Sequence, residues 1–246
     1  MIKPWDTLPK SLQTDAVRPY YDALYSKRSQ LWLKRAFDVV VAFLMLLVLS
    51  PLFLLLAIAI KLDSPGPVFY RQLRVTQYGR QFRIFKFRTM IADADRVGSH
   101  VTTQNDPRIT RVGALIRKCR LDEIAQLLNV IDGSMTFVGT RPEALKYVNS
   151  YTDEMMATLL LPAGITSETS IYFKDEDQLL ADAEDIDLAY VKKVLPIKMR
   201  YNLSALNNFG FLRDIRIMFM TVAAVLGKKY DPPQTVDEQA TVSNKP

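Results

Sequence analysis

The sequence predicts an α+β protein, mainly α-helical with a small β-hairpin or sheet, attached to a membrane. Three observations carry that prediction. Phe37 to Lys61 is one apolar stretch, FDVVVAFLMLLVLSPLFLLLAIAIK, without a charge from Val39 to Ile60. Two short strand candidates, Val68 to Arg71 and Phe82 to Arg88, flank the turn signal Gln77-Tyr78-Gly79-Arg80. Most of the remaining chain divides into segments of helical periodicity bounded by Pro, Gly and Asp.

Composition narrows the chemistry. The 246 residues suffice for one sizeable domain or two small ones. Lys and Arg number 32 against 26 Asp and Glu, and the net charge of +6 suits an anionic lipid surface or a phosphate-bearing ligand. A single cysteine, Cys119, excludes an internal disulfide framework and fits a reducing compartment. A single histidine, His100, argues against a His-rich metal centre or a histidine-based triad, so acids, bases and metal ligands must come mostly from carboxylates. There is no internal repeat and no low-complexity tract.

Residues 1–33 begin polar and continue as a helix over Val17 to Leu33, with Tyr20, Tyr21, Leu24, Tyr25 and Leu31 on a partly apolar side. This segment reads either as an interfacial helix leading into the membrane or as a solvent-facing pre-helix. In Lys34-Arg35-x-x-Asp38 the spacing puts all three charges on one helical face. A lone carboxylate at the bilayer centre costs about 2.5–3.5 kcal/mol, so Asp38 belongs near the headgroups, paired, where it fixes the depth of the helix.

The uncharged run would measure roughly 33 Å as a straight helix, against a bilayer core of about 30 Å. It is apolar on every face, which a soluble core helix rarely is. Ser50-Pro51 near its middle predicts a bend, with the Ser50 hydroxyl placed to satisfy a freed carbonyl. Each arm is then roughly 18 Å, too short to cross alone. Lys27, Arg28, Lys34 and Arg35 precede the run, and Lys61, Arg71, Arg74, Arg80 and Arg83 follow it. Both ends therefore claim the cytoplasmic side. On residues alone two topologies stand open, a helix that enters and leaves on one face and a kinked helix that spans. A cleavable signal peptide does not fit: the run starts late, is too long and lacks a clear cleavage site.

Asp63-Ser64-Pro65-Gly66-Pro67 ends the membrane segment as a loop. The second strand, FRIFKFR, interleaves aromatics with cations and sets Lys86 and Arg88 on the same face. Ala92 to Asp106 is polar, a loop with a little helix. Asp106 to Arg120 reads as a cation-rich helix and Leu121 to Ile131 as a second. Asp132-Gly133 turns into a strand over Met135 to Val138, and Gly139 to Glu143 turns into a helix with Pro142 at its first position. Residues 151–160 read as helical and 162–166 as a loop. Two helices are expected over Asp175 to Val194 and Ile197 to Asn207. Phe211 to Leu226 is amphipathic, with Ile215, Met218, Phe219, Val222 and Val225 along one stripe, and residues 228–246 read as a disordered tail. The chain thus divides into a polar or interfacial helical segment (1–33), a membrane helix (34–61), one folded unit (62–227) and the tail.

Asp122-Glu123 is the candidate pair for the chemistry. Two carboxylates open a predicted helix just after a cluster of arginines, where unpaired amides and a partial positive charge suit phosphate. A carboxylate there can attack phosphorus as a nucleophile, or hold Mg²⁺, which prefers oxygen ligands and bridges to substrate phosphates. Arg117 and Arg141 can clamp phosphate oxygens, and Lys86, with Arg88 on its strand face, adds positive charge. On residues alone, an Asp-Glu pair at a helix start is more often a cap that compensates the dipole.

Taken in order, KRAFD, the Ser-Pro-broken apolar run, SPGPVFYRQ, FKFRTM, DPRITRVG, RLDEIAQLLNV, GSMTFVGTRPE and GIT resemble the bacterial sugar transferase family, the monotopic polyprenyl-phosphate phosphoglycosyl transferases. The likeness runs from Lys34 to Leu226. It implies an enzyme, a sugar-1-phosphate transferase of polysaccharide or glycoconjugate assembly. Such an enzyme moves a phospho-sugar from a UDP-sugar to polyprenyl (undecaprenyl) phosphate and releases UMP, with Mg²⁺ as cofactor. The resemblance places a covalent phospho-sugar on Asp122, with Glu123 as metal ligand or proton handler. It maps the family's lysine to Lys86, the arginine before the dyad to Arg117, and the Arg-Pro pair to Arg141 and Pro142. It also implies a re-entrant helix broken at Ser50-Pro51, hence a monotopic protein in one leaflet of the bacterial cytoplasmic membrane with its catalytic domain facing the cytoplasm. Membrane lipids are then expected partners, a homodimer is possible, and nucleic acid is not expected.

The sequence departs from the family pattern in three places. Ala125 stands where many members have Pro, Thr140 replaces the first Pro of GPRP, and Pro162 to Ser167 lacks the arginine of the usual RPGITG loop. The last change points to a sub-branch with another donor. Two rival readings are a membrane-anchored nucleic-acid binder, resting on the basic, aromatic stretch Tyr70 to Arg88, and a catalytically inactive scaffold of a polysaccharide assembly complex. The first leaves Asp122-Glu123 without a purpose and shows no recognised motif. The second predicts that Asp122→Asn is silent.

Overall fold

The structure, a computed structural model, describes residues 2–92, 94, 106–173 and 185–230. Two 3-10 turns, Trp5–Thr7 and Lys10–Leu12, lead into α1 (Arg18–Ser26) and α2 (Arg28–Asp63). The helix expected over 17–33 is interrupted at Lys27, which leaves helical geometry (φ −104°, ψ 21°) and donates from Nζ to the Phe209 carbonyl at 2.7 Å. Leu12, Val17, Tyr21 and Leu24 are buried against Leu159, Leu160, Leu203, Leu206 and Phe209. The apolar side of the N-terminal segment is therefore turned into the protein.

α2 is a single helix of 36 residues. Lys34, Asp38, Ala42, Leu56 and Ile60 are buried along one stripe, whereas Val48 near the middle is 78% exposed. Only 11% of its most apolar window is buried within the protein, unlike the mostly buried core helix of a soluble fold, and the helix is long and apolar enough to enter a membrane. Ser50-Pro51 does not open a gap in the helix. The Ser50 hydroxyl donates at 2.8 Å to the Leu47 carbonyl, the acceptor that the missing Pro51 amide would have used. Both ends of α2 are bonded to the folded unit. Arg35 donates to the Val130 carbonyl at 2.6 Å, and Asp63 accepts the Val112 amide at 2.9 Å.

β1 (Phe69–Val75) and β2 (Gln81–Phe87) form an antiparallel hairpin in which Tyr70 faces Lys86 and Arg74 faces Phe82. β1 runs four residues beyond its expected end, because Leu73 and Arg74 pair in register with β2 despite the charges around them. α3 (Arg111–Lys118) starts later than the expected Asp106, since Asp106 folds back to accept the Arg108 amide at 3.0 Å. Thr110 caps α3 by accepting the Gly113 amide. A Cβ at Gly113 would lie 2.0 Å from the Thr89 carbonyl oxygen, so only glycine lets the helix approach the hairpin this closely.

A 3-10 turn, Leu121–Gln126, leads into α4 (Leu127–Asp132) and β3 (Met135–Val138). The residues expected as a loop at 162–166 instead form β4 (Ala163–Thr166), paired in parallel with β3. The backbones touch at Gly139 and Gly164, where a Cβ on Gly164 would lie 2.2 Å from the Gly139 amide nitrogen. Pro142 does not open a helix. Thr140 and Glu143 give their carbonyls to the amides of Gly164 (2.8 Å) and Val75 (3.0 Å), which holds this stretch extended until α5 (Leu145–Val148).

The rest comprises a 3-10 turn (Met155–Leu160), α6 (Glu168–Tyr172), α7 (Ile186–Ala189) running into a π-helical turn (Tyr190–Val194), α8 (Leu195–Asn207) and α9 (Phe211–Val225). On α9, Phe219, Val222 and Val225 stay exposed while Asp214 and Ile217 are buried. Most of the polar stretch before Asp106, the first part of the helix expected from Asp175 and tail residues 231–246 lie outside the described residues.

Candidate active site

Asp122 and Glu123 lie on the 3-10 turn and not at the start of an α-helix, which begins only at Leu127. The cause is Arg120, a non-glycine residue in the left-handed region (φ 53°, ψ 27°) that turns the chain sharply out of α3. Such a conformation costs about 1–3 kcal/mol and persists where the surroundings enforce it, commonly at functional sites. The expected amide-rich helix start is thus replaced by a tight turn packed on β2, and the positive field comes from side chains.

Three of the expected residues meet there. Glu123 Oε1 accepts from Lys86 Nζ at 3.2 Å and from Arg141 Nη2 at 2.5 Å, and Oε2 receives Arg141 Nη1 at a longer 3.4 Å. Burial alone would raise the Glu123 carboxyl, but Arg141 and Lys86 outweigh it and hold the group well below the usual carboxylate range. Asp122 differs: no side-chain hydrogen bond holds its carboxylate among the described residues. Burial lifts its carboxyl above the usual range, with Lys86 and Arg117 opposing and Glu123 adding. One carboxylate is locked between two cations, while its neighbour is desolvated, raised above the usual range and held by no side chain among the described residues.

Arg117 sits on α3, and its charge reaches both Asp106 and Asp122. Pro142 is buried beside Arg141 in the extended stretch. Arg88 does not join the site. β2 ends at Phe87, and the buried Arg88 guanidinium donates to the Ser64 carbonyl (2.6 Å), the Ser64 hydroxyl (3.0 Å) and the Ile60 carbonyl (3.4 Å). It caps the end of α2, whose last carbonyls lack helical partners.

The charges at the start of α2 fix the site to the membrane helix. Lys34 Nζ lies 2.7 Å from Asp214 on α9 and 3.8 Å from Asp38. The Thr136 hydroxyl of β3 donates to Asp38, and Arg35 donates to the carbonyls of Val130 and Ile131 on α4. The elements so gripped lead directly to the dyad and to Arg141. The sequence reading missed Asp214, although an acid opening an amphipathic helix was a signal for it. It also missed Asn129, whose Oδ1 accepts the Phe85 amide at 2.7 Å and ties β2 to α4. Glu143, which accepts from Tyr190 (2.5 Å) and Lys198 (3.4 Å) behind Arg141, went unnoticed as well.

Among the described residues no cluster of three or more His, Cys, Asp or Glu is placed to hold a metal. The dyad still suits Mg²⁺, an ion commonly held by one or two carboxylates together with substrate phosphates. No side chain hydrogen-bonds Asp122 among the described residues, and Glu123 Oε2 carries only the longer contact.

Residues 29–228 match the family described as bacterial sugar transferase. A UDP-N-acetylgalactosamine-undecaprenyl-phosphate N-acetylgalactosaminephosphotransferase of Aeromonas hydrophila is 34% identical over 198 residues, 79% of this chain and 44% of that one. A UDP-glucose:undecaprenyl-phosphate glucose-1-phosphate transferase of Escherichia coli (strain K12) is 36% identical over 211 residues, 84% of this chain and 42% of that one. The chain thus spans less than half the length of these two relatives. The exopolysaccharide production protein ExoY of Sinorhizobium fredii is 34% identical over 207 residues, 78% of this chain and 84% of that one.

Proposed function

The chain belongs to the bacterial sugar transferase family, and from that premise we propose that it transfers a sugar 1-phosphate from a UDP-sugar to undecaprenyl phosphate through a covalent intermediate on Asp122. The observation that carries this reading is the asymmetry of the dyad: Glu123 is gripped by Lys86 and Arg141, whereas no side chain among the described residues hydrogen-bonds the half-buried Asp122 beside it. In the first step an Asp122 carboxylate oxygen attacks the phosphorus that bears the sugar. The bond from that phosphorus to the anhydride oxygen breaks, and UMP leaves with the electron pair. In the second step an oxygen of the lipid phosphate attacks the same phosphorus, and the Asp122 carboxylate departs. Each step forms one P–O bond and breaks one, and a covalent intermediate lets two substrates use one phosphate site in turn.

Lys86, Arg117 and Arg141 hold the charge of the transferring phosphoryl group. Asp122 and Glu123 are the residues that would hold Mg²⁺, which when bound neutralises phosphate charge. The relatives' names point to UDP-glucose and UDP-N-acetylgalactosamine as the first donors to try.

The reading extends to the membrane. Residues at both ends of α2 bond to one folded unit, while the helix middle is exposed. A helix that crossed the bilayer would carry its ends to opposite faces, beyond the reach of one unit. This supports a re-entrant helix turning near Ser50-Pro51, in one leaflet of the cytoplasmic membrane, with the catalytic unit facing the cytoplasm. The exposed face of α9 supports a second contact with the same leaflet. Both reactants then meet in one plane, which converts a two-phase encounter into a positioned reaction.

The test is UMP release from a panel of UDP-sugars with undecaprenyl phosphate and Mg²⁺. Wild-type protein should release UMP with one donor and Asp122→Asn should not. Silence across the panel, or activity surviving in Asp122→Asn, would contradict the proposal.

A further inference from the structure

Arg74, on β1, has no role in the chemistry so far. It belongs to the face of the hairpin that carries Tyr70, Gln72 and, from the paired strand, Lys86. Its guanidinium is oriented by a fork onto Gln72 Oε1, from Nε at 3.2 Å and Nη2 at 2.7 Å. The next residue, Val75, gives its amide to the Glu143 carbonyl at 3.0 Å, which joins this end of β1 to the stretch that carries Arg141 and Pro142.

This placement is costly. The half-buried Arg74 forms no ion pair among the described residues. Burial pushes its guanidinium down, Glu143 opposes that, and the like charge of Arg141 adds to it. Glu143 is already engaged by Tyr190 and Lys198, and Glu123 by Lys86 and Arg141. The like charges of Arg74 and Arg141 thus act on each other, Arg74 preset by a neutral glutamine and without an ion pair among the described residues, Arg141 engaged by Glu123. An anion between them relieves both the desolvation and the repulsion.

We propose that Arg74 is a phosphate-binding residue of this site, preset by Gln72 and acting with Arg141 on a phosphate of the donor diphosphate or of the lipid acceptor. The assignment rests on the transferase reading for the identity of the phosphate, but the binding itself can be measured without turnover.

The experiment measures inorganic pyrophosphate binding by calorimetry on the full chain in detergent, for wild type, Arg74→Ala, Arg74→Lys and Gln72→Ala. Arg74→Ala should weaken binding about tenfold, the scale of one charge-assisted hydrogen bond, at unchanged circular dichroism. Arg74→Lys should recover part of the loss. Gln72→Ala, which keeps the charge and removes the fork, should fall between and decides the matter if Arg74→Ala fails to fold. In turnover, a raised KM for the UDP-sugar with kcat little changed assigns the donor phosphate, and a raised KM for undecaprenyl phosphate assigns the acceptor. Unchanged pyrophosphate affinity in the folded Arg74 variants, or in Gln72→Ala if they do not fold, overturns the proposal whether or not the wild type turns over. A wild type that binds pyrophosphate through Arg74 yet releases no UMP would instead overturn the transferase reading alone.

Discussion

Arg141 reaches back to grip Glu123 with both terminal nitrogens, 2.5 Å from Nη2 to Oε1 and 3.4 Å from Nη1 to Oε2. This contact joins the stretch after β3 to the turn that carries Asp122. Through Lys86 it also joins the hairpin, so three separate parts of the chain share one carboxylate.

That relationship makes a fork, not just a charge, the requirement at Arg141. Arg141→Ala should lower kcat/KM by about 10²–10³, the usual loss for one electrostatic donor at a reacting centre. Arg141→Lys should recover only part, because an ammonium cannot make the bidentate contact. Steady-state kinetics on the responsive donor decide it; Arg141→Ala within threefold of wild type would show that the contact is only structural.

The two carboxylates should separate in pH. In the proposed mechanism Asp122 attacks as the anion, and its carboxyl is raised, so kcat/KM should climb with pH through that raised value, above the range of an ordinary aspartate. Glu123→Gln removes a charge that raises it, so the acid limb of the residual activity should move to lower pH. Lys86→Met removes a charge that lowers it, so the limb should move to higher pH. Glu123 itself has a depressed folded value. Its contribution to stability should be present above about pH 4.3, the unfolded value, and fade as pH falls through the folded one. A pH series of rates and melting temperatures reads both.

Lys34 lies buried between Asp38 and Asp214. Lys34→Met leaves two buried carboxylates without their cation and should destabilise the protein by about 3–5 kcal/mol. Thermal unfolding in detergent checks this, and a loss under 1 kcal/mol would mean that the carboxylates find other partners.

Much of this arrangement was legible in the sequence, for physical reasons that differ by element. The membrane run and the hairpin declare themselves through local composition and turn chemistry. The Ser50 contact with the Leu47 carbonyl follows from what proline removes. Residues that depend on distant backbone were not legible. β4 exists because Gly139 and Gly164 let two backbones touch, and the extended course of Pro142 because Val75 and Gly164 take its neighbours' carbonyls. Arg88 shares the periodicity of Lys86, but the strand ends one residue too soon for both to face the dyad. The departure of residues 121–126 from α-helix traces to Arg120, whose left-handed backbone no local pattern announces.

The topology has its own test. With Cys119→Ser as background, Ser29→Cys and Pro65→Cys place thiols at exposed positions near the two ends of α2. A membrane-impermeant maleimide should label both from the same face of sealed vesicles. Labelling from opposite faces would make α2 a spanning helix and separate the dyad from one of its substrates.

The most direct measurement of the central claim is the intact mass of the protein after incubation with its UDP-sugar, without lipid acceptor. A gain equal to one phospho-sugar is expected, mapped to Asp122, absent in Asp122→Asn and discharged by adding undecaprenyl phosphate. A wild-type enzyme that releases UMP only when the acceptor is present, and never carries that added mass, would contradict it.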